Sequence, residues 1–281
     1  MKKVFLICCF FIPFIAFATS KIDSVININK IPKGGILLNH GWKFHAGDNP
    51  GWAKSDIDDS NWGAINPAKD ISYLPEVRKA EIGWFRLKLH IDSSLVNQSW
   101  AFNIYEAGAS EIYLNGKQIY KFGTVDKGYQ KEKTLQMYGR PFTIKFDNQP
   151  TQVIAVRYSF NRKNFLINYF APNLCLQFIL NKANEAFANY QSFYSPIAFR
   201  QITLITLDLL LCLMSFFLYF SFRIQKTYLL FGINCSIAAL GSGCVLIALS
   251  LSELSSSWAS LLFFCTHIST VTCGIVLVRI N

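Results

Sequence analysis

Polar and apolar positions divide the chain into two regimes. Up to about residue 180 they alternate in short runs, and beyond residue 198 the apolar ones merge into long stretches. The clearest alternation spans 84–91, where Phe85, Leu87, Leu89 and Ile91 take one face and Trp84, Arg86, Lys88 and His90 the other, as in a strand with one face in a core. Further runs rich in aromatic and β-branched residues follow at 100–105, 111–114, 118–122, 142–146, 153–158 and 174–180. Asn115-Gly116, Asp147-Asn148 and Asn161-Arg162 punctuate them. Asn115-Gly116 predicts a tight hairpin, because both central residues of a type I′ turn need positive φ. About eight short strands with such turns predict an antiparallel jelly roll.

The apolar stretches at 202–222, 228–251 and 258–278 each approach or exceed the roughly 20 residues that cross a bilayer as a helix. Their links are short enough to hold only tight turns. Between 181 and 197 the pattern turns helical and amphipathic, with Phe187, Tyr190, Phe193 and Tyr194 suited to the headgroup layer ahead of Pro196. The expected fold is therefore an all-β jelly-roll sandwich ectodomain over 35–180, a juxtamembrane linker over 181–197, and a bundle of three transmembrane α-helices within 198–281.

Lys2 and Lys3, an apolar run over 4–17 and the small-x-small Ala16-Phe17-Ala18 predict an export signal over 1–20. Arg223 and Lys226 flank the first link between spans, Arg279 closes the third span, and the second link holds only Glu253. The positive-inside rule then puts the ectodomain outside, in the periplasm, and the chain as a multi-pass protein in the inner (cytoplasmic) membrane. No output module follows the third span, so the chain is expected to be a fragment or to act through a separate cytoplasmic signalling protein or as a homodimer. The formal net charge of +10 falls mostly on the ectodomain without a Lys/Arg-rich run, which argues against nucleic acid and gives weak attraction to anionic glycans or membrane lipid. Cys175 is alone in the ectodomain, so the sandwich must rest on its core rather than on disulfides.

Candidate chemistry is sparse. Trp84 and Arg86 would suit a sugar platform, the ring stacking and the cation fixing a hydroxyl or carboxylate, with Glu106, Glu111 and Arg157 nearby as ligand-binding residues. The competing reading is a solvated strand face with Arg86 paired to Glu106 or Glu111. Asp58-Asp59-Ser60 reads as a turn or cap with Trp62 plugging one end of the sandwich, or else as a calcium site shared with Asp48 or Asp56. Glu106 and Glu111 flank a Gly-Ala-Ser link without a cleft, a poor catalytic pair. Neither a catalytic residue, a metal nor a cofactor is expected, and the chain reads as no enzyme. Asp208 and His267 fall at similar depth in the first and third spans, where they form an intramembrane polar pair, structural or signalling.

The block from Gly41 to Asp48, Trp52-Ala53, Asp58-Asp59-Ser60-Asn61-Trp62, Gly83-Trp84-Phe85-Arg86 and Ile112-Tyr113-Leu114-Asn115-Gly116-Lys117 resembles the galactose-binding-like jelly roll that serves family 2 glycoside hydrolases as a sugar-binding domain. A jelly roll followed by membrane helices, with Gly108-Ala109-Ser110-Glu111 and Ala155-Val156-Arg157-Tyr158, is similar to the N-terminal part of bacterial seven-transmembrane receptors with diverse intracellular signalling modules. This resemblance implies a membrane-bound sensor for a carbohydrate-like or other small polar ligand. The alternative is a membrane-tethered glycan-binding or glycoside hydrolase accessory protein.

Overall fold

A computed structural model describes residues 25–126, 139–160, 174–222 and 226–250, and a few positions between 261 and 268. The strands are β1 (Val25–Ile28), β2 (Ile36–Leu37), β3 (Trp42–Ala46), β4 (Gly63–Ile65), β5 (Ile82–Ile91), β6 (Trp100–Glu106), β7 (Ala109–Leu114), β8 (Lys117–Phe122), β9 (Phe142–Ile144), β10 (Thr151–Ser159) and β11 (Leu176–Lys182). Helix α1 is Pro75–Lys79, α2 is Ala183–Phe222 and α3 is Lys226–Ser250.

Two sheets face each other. One has the order β4-β3-β5-β10-β7-β8, with β1 lying parallel against the far half of β5. The other runs β2-β11-β6-β9. β5 is the longest strand, as the alternation requires, and sends Phe85, Leu87, Leu89 and Ile91 into the core. Phe102, Ile104, Leu176, Phe178 and Leu180 answer from the second sheet. Two of the three fully buried indoles satisfy their N–H groups locally, Trp42 to Leu38 O at 2.8 Å and Trp100 to Leu95 O at 2.7 Å. This leaves their rings free to fill the sandwich, and Trp42 meets Phe178 across it at 5.3 Å. Asn115 (φ 52) and Gly116 (φ 82) form the hairpin between β7 and β8 in the left-handed conformation that the pair predicts. Cys175 is fully buried, and burial raises its thiol pKa.

Of the strands before β5, β2 and β4 have two and three residues and lie at sheet edges, while β3, between β4 and β5, alternates over Trp42-Lys43-Phe44-His45 but is only five residues long. The segment expected as a linker is also more regular than its composition implies. β11 ends at Lys182 and α2 starts at the next residue, with the Ala183 N–H donating to Ser99 O at 3.2 Å. Pro196 sits inside a helix of 40 residues.

Helices α2 and α3 are each long and apolar enough to cross a membrane. Their contact is built from small and polar side chains. Cys212 Sγ lies 3.1 Å from Ser236 Oγ, and Gly232 admits Phe216. Leu207, Leu210, Leu213, Met214, Phe217 and Phe220 stay exposed on α2, as lipid-facing residues would. Of the third expected span, helix is present at 261, 262, 264–266 and 268, and the remainder lies outside the described residues.

Candidate functional site on the outer face of the larger sheet

Strand register assembles the outer face of the β5 sheet in rows. His45 on β3 pairs with Trp84 on β5, Trp84 with Arg157 on β10, Arg157 with Glu111 on β7, and Glu111 with Lys121 on β8. One row thus crosses five strands. The next holds Lys43, Arg86, Ala155 and Tyr113. Ala155 is small enough for the Trp84 ring to stack on Tyr113, with centroids 5.6 Å apart and planes at 29°.

The segment between β3 and β4 lies over these rows and changes their character. Arg86 is its pin. The guanidinium donates to Trp52 O at 2.6 Å, to Lys54 O at 2.8 Å and to Asp59 Oδ2 at 3.2 Å. Lys43 and Lys88 donate to the other Asp59 oxygen at 2.9 and 3.1 Å. Burial pushes the Asp59 carboxyl up, but the three donors outweigh it and hold its pKa below the usual carboxylate range. Burial lowers the pKa of Arg86, and Asp59 partly offsets this.

Trp84 and Arg86 are consequently 0% and 1% exposed, so neither presents a platform to solvent. The strand alternation assigned their face correctly and said nothing of what covers it. Arg86 is paired to Asp59 rather than to Glu106 or Glu111. Asp58 does cap the turn, accepting from the Ser60 N–H at 2.9 Å. Asp48 is turned to Arg157 and Asp59 to its three cations, so the two carboxylates suggested for calcium face different partners.

Above this buried layer sits a second, more open one. Arg157 makes a bidentate pair with Asp48, both contacts at 2.7 Å, and reaches Glu111 at 3.2 Å. Asp48 raises the Arg157 pKa against the opposing effect of burial. Glu111 also accepts from Tyr113 Oη at 3.2 Å and pairs with Lys121 at 3.4 Å. Beside these charges, exposed His45 contacts half-buried Trp52 at 4.7 Å and Trp62 at 5.3 Å. The face therefore joins an aromatic edge to a charged row.

The other expected site residues lie elsewhere. Glu106 is buried on β6 of the second sheet, away from Glu111, Arg157 and Arg86. Asp208 is half-buried on α2, and His267 lies outside the described residues. His45, Tyr113 and Lys121 were not picked out as site residues, although His45 and Tyr113 belong to the motifs that carry the resemblance.

No family model matches the chain. A protein of Formosa agariphila to which a beta-glucuronidase activity is ascribed is 26% identical over 128 residues, covering 40% of this chain and 12% of that protein. The matched length exceeds the whole of the chain beyond β11, so it takes in part of the β sandwich. Among solved structures, a Bacteroides uniformis beta-glucuronidase aligns at 17% identity and a TM-score of 0.37, over 52% of this chain and 17% of its own. A family 2 glycosyl hydrolase of Bacteroides cellulosilyticus aligns at 22% identity and a TM-score of 0.36, over 52% of this chain and 20% of its own. The chain thus spans a small part of each.

The similarity to the F. agariphila protein supports the galactose-binding-like jelly-roll reading. It also overturns one expectation: the reading of the chain as no enzyme does not stand, because the sequence relative carries a glycosidase name.

Proposed function

We propose that the chain is a membrane-tethered carbohydrate-binding protein working in glycoside breakdown. The 128-residue similarity to a beta-glucuronidase relative is the observation that carries this reading. The saccharide would meet the exposed edge of His45, Trp52 and Trp62. An aromatic ring face holds the apolar C–H face of a pyranose, and Arg157 and Lys121 of the neighbouring row are the cations that would take the carboxylate of a sugar such as a glucuronoside. Lys43 and Lys88 share Asp59 with Arg86, so the cluster keeps an excess of positive charge just beneath.

Calorimetric titration of the full chain in lipid nanodiscs with glucuronic-acid oligosaccharides tests it. His45→Ala is expected to weaken binding about three- to tenfold, the worth of one aromatic contact, with an unchanged melting temperature. Equal affinity in that variant would remove the site from this face. Loss of binding on Asn97→Ala or Asn148→Ala instead would move it to the polar cleft that these residues line with His90, Asp92 and Gln149.

The finer reading, a sensor that signals through its helices, is favoured by one feature. β11 passes into α2 without a linker, so a tilt of the smaller sheet would be carried into the membrane helix. Saccharide-dependent change in distance between spin labels at exposed Leu204 of α2 and Ile247 of α3 would support it, and a constant distance with saturating ligand would end it.

A further inference from the structure

We infer that the chain holds a site for an anionic phospholipid where its sandwich meets the membrane. At 1.5 Å per residue the 40 residues of α2 span about 60 Å, roughly twice a hydrocarbon core, so its first turns stand outside the apolar layer. A cavity of about 410 Å³ opens there. Phe187, Tyr190, Tyr194 and Ala198 of α2 wall it, Leu249 closes it from the end of α3, and Arg140 reaches it from the sandwich. Since Leu249 of the second apolar helix and Ala198 of the first line the same cavity, its floor lies level with the start of the hydrocarbon.

Arg140 is held in place. Asn181 Nδ2 donates to Asn103 Oδ1 at 2.9 Å, and Asn103 Nδ2 donates to Gly139 O at 2.8 Å. Both asparagines are buried on the outer face of the smaller sheet, the sheet that α2 touches. Gly139 has φ 66, and any side chain there would overlap the ring of Tyr105. The backbone before Arg140 is thus pinned, and Arg140 forms no ion pair among the described residues. A cation without an ion pair among the described residues, above aromatic walls and with an apolar floor open toward the bilayer, matches a phosphate headgroup and the start of an acyl chain. Tyrosines at this level are the usual interfacial residues, and a juxtamembrane cation favours anionic lipid.

This inference does not rest on the carbohydrate reading. Its test is native mass spectrometry of the full chain released from nanodiscs of mixed phosphatidylglycerol and phosphatidylcholine. The wild type is expected to retain phosphatidylglycerol in preference. Arg140→Ala, at an exposed position, is expected to reduce that preference about fivefold, the worth of one cation at a membrane surface, and Arg140→Lys to restore most of it. Free glycerol phosphate should fail to displace the lipid, since the apolar floor would be unmet; displacement would assign the site to a soluble phosphate instead. Equal retention of both lipids by the wild type, or an unchanged preference in Arg140→Ala, overturns the proposal.

Discussion

Asp59 is 2% exposed, and a carboxylate so placed needs its charge answered. It receives three donors from side chains 16, 27 and 29 positions away, which makes it the point where the covering segment is locked to the sheet. Asp59→Asn leaves three cations around a neutral amide. The expected loss is about 3 kcal/mol or more, the cost of breaking a buried pair from one side. Tryptophan fluorescence during melting reads this well, since Trp42, Trp52, Trp62, Trp84 and Trp100 all lie in the sandwich; an unchanged melting temperature would refute it. The pH dependence has a definite sign. The folded carboxyl titrates below its usual range, so its contribution is complete above about pH 4 and disappears as pH falls through the lower folded value. Wild type is therefore expected to lose stability on acidification below about pH 4 more steeply than Asp59→Asn, and parallel curves would contradict the assignment. None of this network was legible in sequence beyond the face to which Arg86 belongs. Period-two alternation reports the side of a strand, whereas the partner of Arg86 depends on the path of a segment with no periodicity of its own.

Elements were legible in proportion to their length and to their local chemistry. β5, β6, β7, β8 and β10 were all visible, because each has alternation or a turn residue with a stated conformational need. β2, with two residues, and β4, with three, are strands only because a longer neighbour offers its edge. The hairpin allows a direct check. Gly116 sits at φ 82, where a Cβ costs about 1 kcal/mol or more, so Gly116→Ala is expected to lower the melting temperature by several degrees. No shift would mean that the turn is not held in this conformation. Helix α2 was hidden for the opposite reason. An amphipathic start, a proline and an apolar remainder read as separate pieces, although the backbone runs through all three. Its packing on α3 can be tested through the Cys212 and Ser236 contact. Ser236→Cys is expected to form an oxidant-dependent cross-link between the helices, while Leu240→Cys, exposed on α3, is not; the reverse pattern would reject the helix register.

At the scale of the molecule, a sandwich that buries its apolar residues is joined to helices that expose theirs. Phe199, Leu213, Met214, Phe217 and Phe220 are each more than 60% exposed, an arrangement that water would penalise and a bilayer favours. Crossing direction then follows from charge, since Lys226 opens α3 close to Arg223 while Leu249 lies near the sandwich end of α2. The link between α2 and α3 should face the cytoplasm and the sandwich the opposite side. In a background with the span cysteines replaced by alanine, Tyr73→Cys, 76% exposed on the sandwich, is expected to react with an impermeant maleimide in intact cells. Lys226→Cys should react only after permeabilisation. Labelling of position 226 in intact cells with protection of position 73 would invert the topology, and with it the leaflet that supplies lipid to Arg140. Labelling of both positions without permeabilisation would mean that α2 and α3 do not cross the bilayer at all.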